Sequence, residues 1–181
     1  MVLSTCYIDN QLHLLEINGM AFDAFLKIDG IPGESADDKH KDWIEIASYR
    51  QGLSQPASST ASSVGGASAE RVNFGAFAIS KQVDKASPKI FEACCTGKHI
   101  KEIVIEVCRA GGDKQKYLEI RLEQVIVSSY VQDGGEEFPH ESVNFSAGKY
   151  KMTYTQQKRE DGTAGGNVSG GWDLTANKVI A

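Results

Sequence analysis

Apolar and polar residues alternate with a period of two along most of the chain, the pattern of half-buried β-strands. In residues 22–28, Phe22, Ala24, Leu26 and Ile28 share one face and Asp23 and Lys27 the other, with Phe25 an apolar exception. Residues 43–49 predict a second strand. Residues 72–80 predict a third, with Val72, Phe74, Ala76 and Ala78 opposite Phe77 and Ile79. Ile103, Ile105 and Val107 then alternate with Val104, Glu106 and Cys108. The run 117–130 is long for one strand: Leu118, Ile120 and Leu122 keep one phase, Val125 and Val127 the other. A slip of one residue at Glu123-Gln124 predicts a β-bulge that bends the strand, as a barrel wall requires. The same slip recurs at Gly148, between Val143, Phe145 and Ala147 and the even-phase Tyr150, Met152 and Tyr154. Residues 172–174 predict a short last strand.

One helix interrupts this pattern. Ser87 suits its N-cap, Pro88 its first position and Gly97 its C-terminal stop, around an apolar stripe of Ile90, Phe91, Ala93, Cys94 and Cys95. The expected fold is mainly β: barrel-like antiparallel sheets with one short flanking α-helix. Glycine pairs at 65–66, 111–112, 134–135, 165–166 and 170–171 predict turns. Residues 51–69 carry no charge and are rich in Ser, Ala and Gly. Composition alone reads them as a mobile solvated loop; the other reading is a loop ordered against a second subunit, where no ion need be desolvated.

Composition narrows the function. The 181 residues are 41% hydrophobic and 24% charged, enough for one domain with a core and too apolar for wholesale disorder. A net charge of -5 leaves no basic excess for coating nucleic acid, and no apolar run approaches the ~20 residues of a membrane span. Residues 1–19 contain no Lys or Arg, and Asp9, Asn10, Gln11, His13 and Glu16 break their apolar residues, so a signal peptide is rejected. They are set apart as an extension, either weakly packed or an arm that docks on a neighbour, and 20–181 form a single domain. Cys6, Cys94, Cys95 and Cys108 follow no disulfide framework and no zinc spacing. A Cys/His nucleophile carries no weight, since four cysteines and four histidines offer such pairs by chance; a phosphate loop at Thr96-Gly97-Lys98-His99 lacks the earlier Gly and the Ser/Thr after Lys, and the helical cysteines read as buried small hydrophobes. No catalytic residue, cofactor or metal is expected. Apolar residues on a second strand face (Phe25, Trp43, Phe77, Val104) instead suggest self-association.

The segment Met20-Ala-Phe-Asp-Ala-Phe-Leu-Lys-Ile-Asp-Gly-Ile-Pro-Gly-Glu-Ser35 resembles the opening of Hcp, the haemolysin-coregulated protein family of bacterial type VI secretion. Ser87-Pro-Lys, Cys108-Arg-Ala-Gly-Gly-Asp-Lys-Gln-Lys-Tyr117, Val125-Ile-Val-Ser-Ser-Tyr130 and Gly170-Gly-Trp-Asp173 follow in the family's order over 20–181. The resemblance implies a non-enzymatic subunit of the inner tube, assembled as stacked hexameric rings. These rings are cytoplasmic before firing, are then propelled out of the cell, and can hold effector proteins in the lumen. Partners would be further copies, the sheath, spike and baseplate proteins, and small effectors. Expected ring contacts are Gln51, Leu53, Gln55, Pro56 and Val64 on the long loop, with Phe25 and Trp43. Expected lumen or ring-face residues are Gln132, Asp133, Glu136 and Glu137. The alternatives are a phage tail-tube-like protein and a monomeric β-barrel that binds a small molecule.

Overall fold

The computed structural model describes residues 22–56, 71–109, 114–135, 138–157 and 164–180. Strand β1 (Phe22–Ile28) lies between β2 (Ile44–Ile46) and β7 (Ile100–Arg109), antiparallel to both. Beyond β7 come the long strands β8 (Lys116–Asp133) and β9 (His140–Gln157). The first part of β9 pairs with β6 (Phe77–Gln82), and β6 pairs with β3 (Ser48–Arg50). Only Ala47 separates β2 from β3, and its N–H donates to the Ser80 carbonyl at 2.8 Å. The strand expected at 43–49 is therefore one chain segment that changes partner at Ala47, and this corner closes the sheet into a barrel.

Two expectations are corrected here. The strand expected at 72–80 breaks at Gly75-Ala76 into β5 (Asn73–Phe74) and β6, and β5 pairs with β4 (Leu53–Ser54). The segments flanking the long loop thus form a two-stranded ribbon, whose Phe74 stacks on Tyr150 of the barrel with ring centroids 4.9 Å apart; residues 57–70 lie outside the described residues. The short last strand expected at 172–174 belongs to β10 (Ala164–Asp173), paired along β9 and followed by β11 (Lys178–Val179). Its glycine pairs lie inside a strand, not at turns. At Gly171 a Cβ would stand 2.9 Å from the Tyr150 carbonyl oxygen and 2.7 Å from Ile180 Cγ1, so glycine admits both neighbours.

The helix α1 (Ser87–Thr96) stops as expected at Gly97, with φ 62. Its start differs: Ala86 holds the N-cap position without a side-chain cap. Ser87 Oγ instead accepts the Asp84 N–H at 3.0 Å, and Asp84 Oδ1 accepts the Ala86 N–H at 2.9 Å. Ile90 and Ala93 are buried, Cys94 is half-buried and Cys95 exposed, so the burial expected of both helical cysteines fails at Cys95.

Cross-strand pairing builds the core in rungs. One rung is Ile28–Ile103–Leu122–Tyr150–Trp172, the next Leu26–Ile105–Ile120–Met152–Gly170, the third Ala24–Val107–Leu118–Tyr154–Val168. Directly paired residues share a face, so each rung is a stripe across five strands. The bend expected at Glu123-Gln124 is present: Gln124 takes φ 57, and Leu122 and Val125 are both fully buried across the phase change. Gly148 lies against it. A Cβ there would come within 2.5 Å of Gln124 Oε1, so the two irregularities bend β8 and β9 together. A second shift of register follows between Val127 and Ser129.

Candidate functional site: an assembly surface

The outer wall over β1, β7 and β8 carries a continuous chain of opposite charges. Arg121 bridges Glu102 (2.6 Å) and Glu119 (3.1 Å), and Lys116 bridges Glu119 (2.5 Å) and Glu106 (2.8 Å). Glu106 then meets His40 Nε2 at 3.0 Å, and His40 Nδ1 meets Asp37 at 2.9 Å. Lys114 closes the chain on Asp37 (2.8 Å) and Asp23 (3.5 Å). His40 is 2% exposed, stacked on Phe25 with ring centroids 4.1 Å apart and edge-on to Trp43 at 5.0 Å. Its imidazole fastens the 29–43 connection to the barrel. The Lys114 ammonium, then His40, hold the Asp37 carboxyl well below the usual carboxylate range.

A second cluster sits under the start of α1. Lys81 Nζ contacts Asp84 Oδ1 (2.8 Å) and Glu141 Oε1 (2.9 Å) and donates to the Gln82 carbonyl (2.7 Å) and Ser87 Oγ (3.2 Å). Lys81 and Glu141 are both fully buried. The Tyr130 hydroxyl donates to Glu141 Oε2 at 2.8 Å, and burial, then that carboxylate, push the phenol up to about 12. The cluster ties β6, β8, β9 and the helix start together, and so braces the root of the β8–β9 hairpin. Sequence reading missed it, although a signal existed. Lys81 shares the inward phase of Phe77 and Ile79, and Glu141 that of Val143 and Phe145.

The expected contact residues separate into groups. Gln51 staples the ribbon root, with Nε2 donating to the carbonyls of Gly52 (3.3 Å) and Gly75 (3.0 Å). Leu53, Gln55 and Pro56 are exposed along the ribbon, Leu53 to 60%; Val64 lies outside the described residues. Phe25 is covered by His40 of its own chain and Trp43 is half-buried, with Lys27 Nζ 5.7 Å from its ring. Of the second-face residues, Phe77 turns out to be core, fully buried, which corrects that placement. Gln132 and Asp133 are exposed at the end of β8; Glu136 and Glu137 lie outside the described residues.

Among the described residues, the cysteines form no reactive cluster. Cys108 is 1% exposed, and burial, then Glu106, push its thiol up, away from a nucleophile. Among the described residues, no cluster of three or more His, Cys, Asp or Glu is arranged to hold a metal ion. The barrel interior is filled by Phe77, Phe145, Ile44 and Leu122, all fully buried. No helix among the described residues is long and apolar enough to cross a membrane.

Comparison with known proteins fits this architecture. The family model described as "Type VI secretion system effector, Hcp" matches residues 25–154. The chain belongs to the Hcp family. Hcp relatives agree along nearly their full lengths. The chain is 35% identical to Protein hcp1 of Pseudomonas aeruginosa over 161 residues, covering 87% of this chain and 98% of that protein. A solved structure of a type six secretion system protein superposes with a TM-score of 0.81 at 31% identity, covering 88% of this chain and 100% of the other. Hcp1 from Salmonella typhimurium gives 0.72 at 32% identity, covering 88% and 100%. The mainly antiparallel β architecture with one short helix is thus that of solved Hcp structures.

Proposed function

We propose that this Hcp protein is a structural subunit of the type VI inner tube, which closes into hexameric rings and stacks them. Its work is non-catalytic: a rigid brick that encloses a channel and can carry small effectors in it. The observation that carries the reading is the β4–β5 ribbon, on which Leu53 is 60% exposed within a stretch that carries no charge between 51 and 69. An uncharged arm can seat on a neighbour without stripping water from an ion. Ring closure is a heterologous contact, so one subunit must offer two different faces. Leu53 on the ribbon, with Gln51, Gln55, Pro56 and Val64 of the same long loop, would supply one, and the Phe25–Trp43 surround is our candidate for the receiving wall. Gln132, Asp133, Glu136 and Glu137 on the β8–β9 hairpin would face the lumen or the next ring. Sheath, spike and baseplate proteins would be partners before firing in the cytoplasm, and the tube would then leave the cell. Sedimentation tests the assembly: a species near six times 19.6 kDa supports it, and a monomer that does not respond to concentration contradicts it.

A further inference from the structure

His40 presents both ring nitrogens to carboxylates: Nδ1 stands 2.9 Å from Asp37 Oδ1 and Nε2 3.0 Å from Glu106 Oε2. An ionised carboxylate only accepts, so a ring nitrogen at that distance must donate. A neutral imidazole has one N–H. Its other nitrogen would turn a lone pair toward a carboxylate lone pair, in a residue only 2% exposed. Placing the extra proton on an acid is disfavoured, because the Lys114 ammonium holds Asp37 ionised and Glu106 Oε1 already accepts from Lys116 at 2.8 Å. Charge balance agrees. From Glu102 through Glu119, Glu106 and Asp37 to Asp23, the chain of ion pairs holds five carboxylates but three fixed cations, Arg121, Lys116 and Lys114. An imidazolium is a fourth. Of the other titratable groups around the pocket, the Cys108 thiol on β7 is pushed up by burial and stays neutral, and Glu45 on β2 accepts from Ser35 Oγ at 2.9 Å.

We infer that His40 is held as the imidazolium and that this charge latches the 29–43 connection over β1, so that the connection loosens when rising pH takes one ring proton. The connection satisfies much of its backbone within itself: Gly33 N–H donates to the Asp42 carbonyl, Ser35 N–H to that of Trp43 and Asp42 N–H to that of Ser35. The Nε2 contact to Glu106 is its tie to β7, 66 positions away. Once the ring is neutral, one of its two carboxylate contacts turns repulsive. Phe25, now covered by the stacked imidazole, would then be uncovered beside Trp43. These two residues mark the receiving wall proposed above, although the latch does not depend on that reading.

The full chain with histidine ring nitrogens labelled by ¹⁵N tests this, His40 being assigned by comparison with His40→Gln. At about pH 7.5, roughly one unit above the ordinary histidine value, both His40 nitrogens should show the imidazolium shift. As the pH is raised until that signal is lost, hydrogen exchange in 29–43, corrected for its intrinsic pH dependence, should quicken at least about fivefold, while α1 and β9 hold. Glu106→Gln removes the facing charge and offers a neutral ring a donor, so both changes should move down by about one pH unit or more. His40→Gln should exchange 29–43 at the fast rate at every pH; circular dichroism checks that both variants keep the β fold. A single neutral tautomer in the parent at about pH 7.5 overturns the imidazolium. Proton loss without faster exchange in 29–43, slow exchange there in His40→Gln, or an unmoved Glu106→Gln overturns the latch.

Discussion

His40 and Lys81 are the side chains on which most of the polar order rests. Both sit where two carboxylates converge, and both link a connection to the barrel wall. Breaking a buried ion pair from one side leaves the other charge uncompensated, at a cost of about 3–5 kcal/mol. Lys81→Met should lower the unfolding free energy by about that much, measured by urea denaturation, and Lys81→Met/Glu141→Leu should recover part of it. A double variant no better than the single one would show that the pair is not coupled. Asp37 gives a pH dependence with a definite sign. Its folded pKa lies below its unfolded value of about 3.9, so its contribution is complete above that value and fades as the pH falls toward the folded pKa. The urea midpoint of the parent should therefore drop more between about pH 5 and about pH 3 than that of Asp37→Asn. Equal drops would remove Asp37 as the source. At this scale the sequence was only partly legible. Alternation points Lys81 and Glu141 inward, but the pairing of Glu106 with His40, 66 positions apart, depends on the turn of the 29–43 connection, which no periodicity encodes.

Among the elements, the bend shared by β8 and β9 sets the barrel's curvature. Gly148→Val would drive a Cβ to 2.5 Å from Gln124 Oε1 and 3.2 Å from Gln124 Cβ. It should cost about 1–3 kcal/mol in thermal or urea unfolding, the range for an overpacked site. Gln124→Gly in that background removes the obstructing side chain and the left-handed strain at φ 57, and should restore part of the loss. No recovery would separate the two irregularities. The phase slips at 123–124 and 148 were readable because each moves buried residues from one parity to the other. β10 was not, because Gly165, Gly166, Gly170 and Gly171 lack the side chains that alternation needs; only its pairing with β9 makes it a strand. The helix start was misread for a related reason: Ser87 has cap chemistry, but its hydroxyl accepts from the preceding turn and from Lys81.

In the whole molecule, a filled barrel carries a two-stranded ribbon on which Leu53 is 60% exposed. Replacing residues 57–70 by a short Asn-Gly turn should leave the melting profile nearly unchanged, because loop length alone costs only about 0.6 kcal/mol per doubling. The same variant should weaken the association of rings in electron micrographs. Loss of the fold would make the segment part of the core, and unchanged stacking would remove the arm from the interface. The central claim, self-association around an open channel, is tested most directly by negative-stain electron microscopy of the purified full chain. Annular particles with six-fold symmetry, in places piled end to end, are the predicted result; fields of separate globules with no annuli would contradict it.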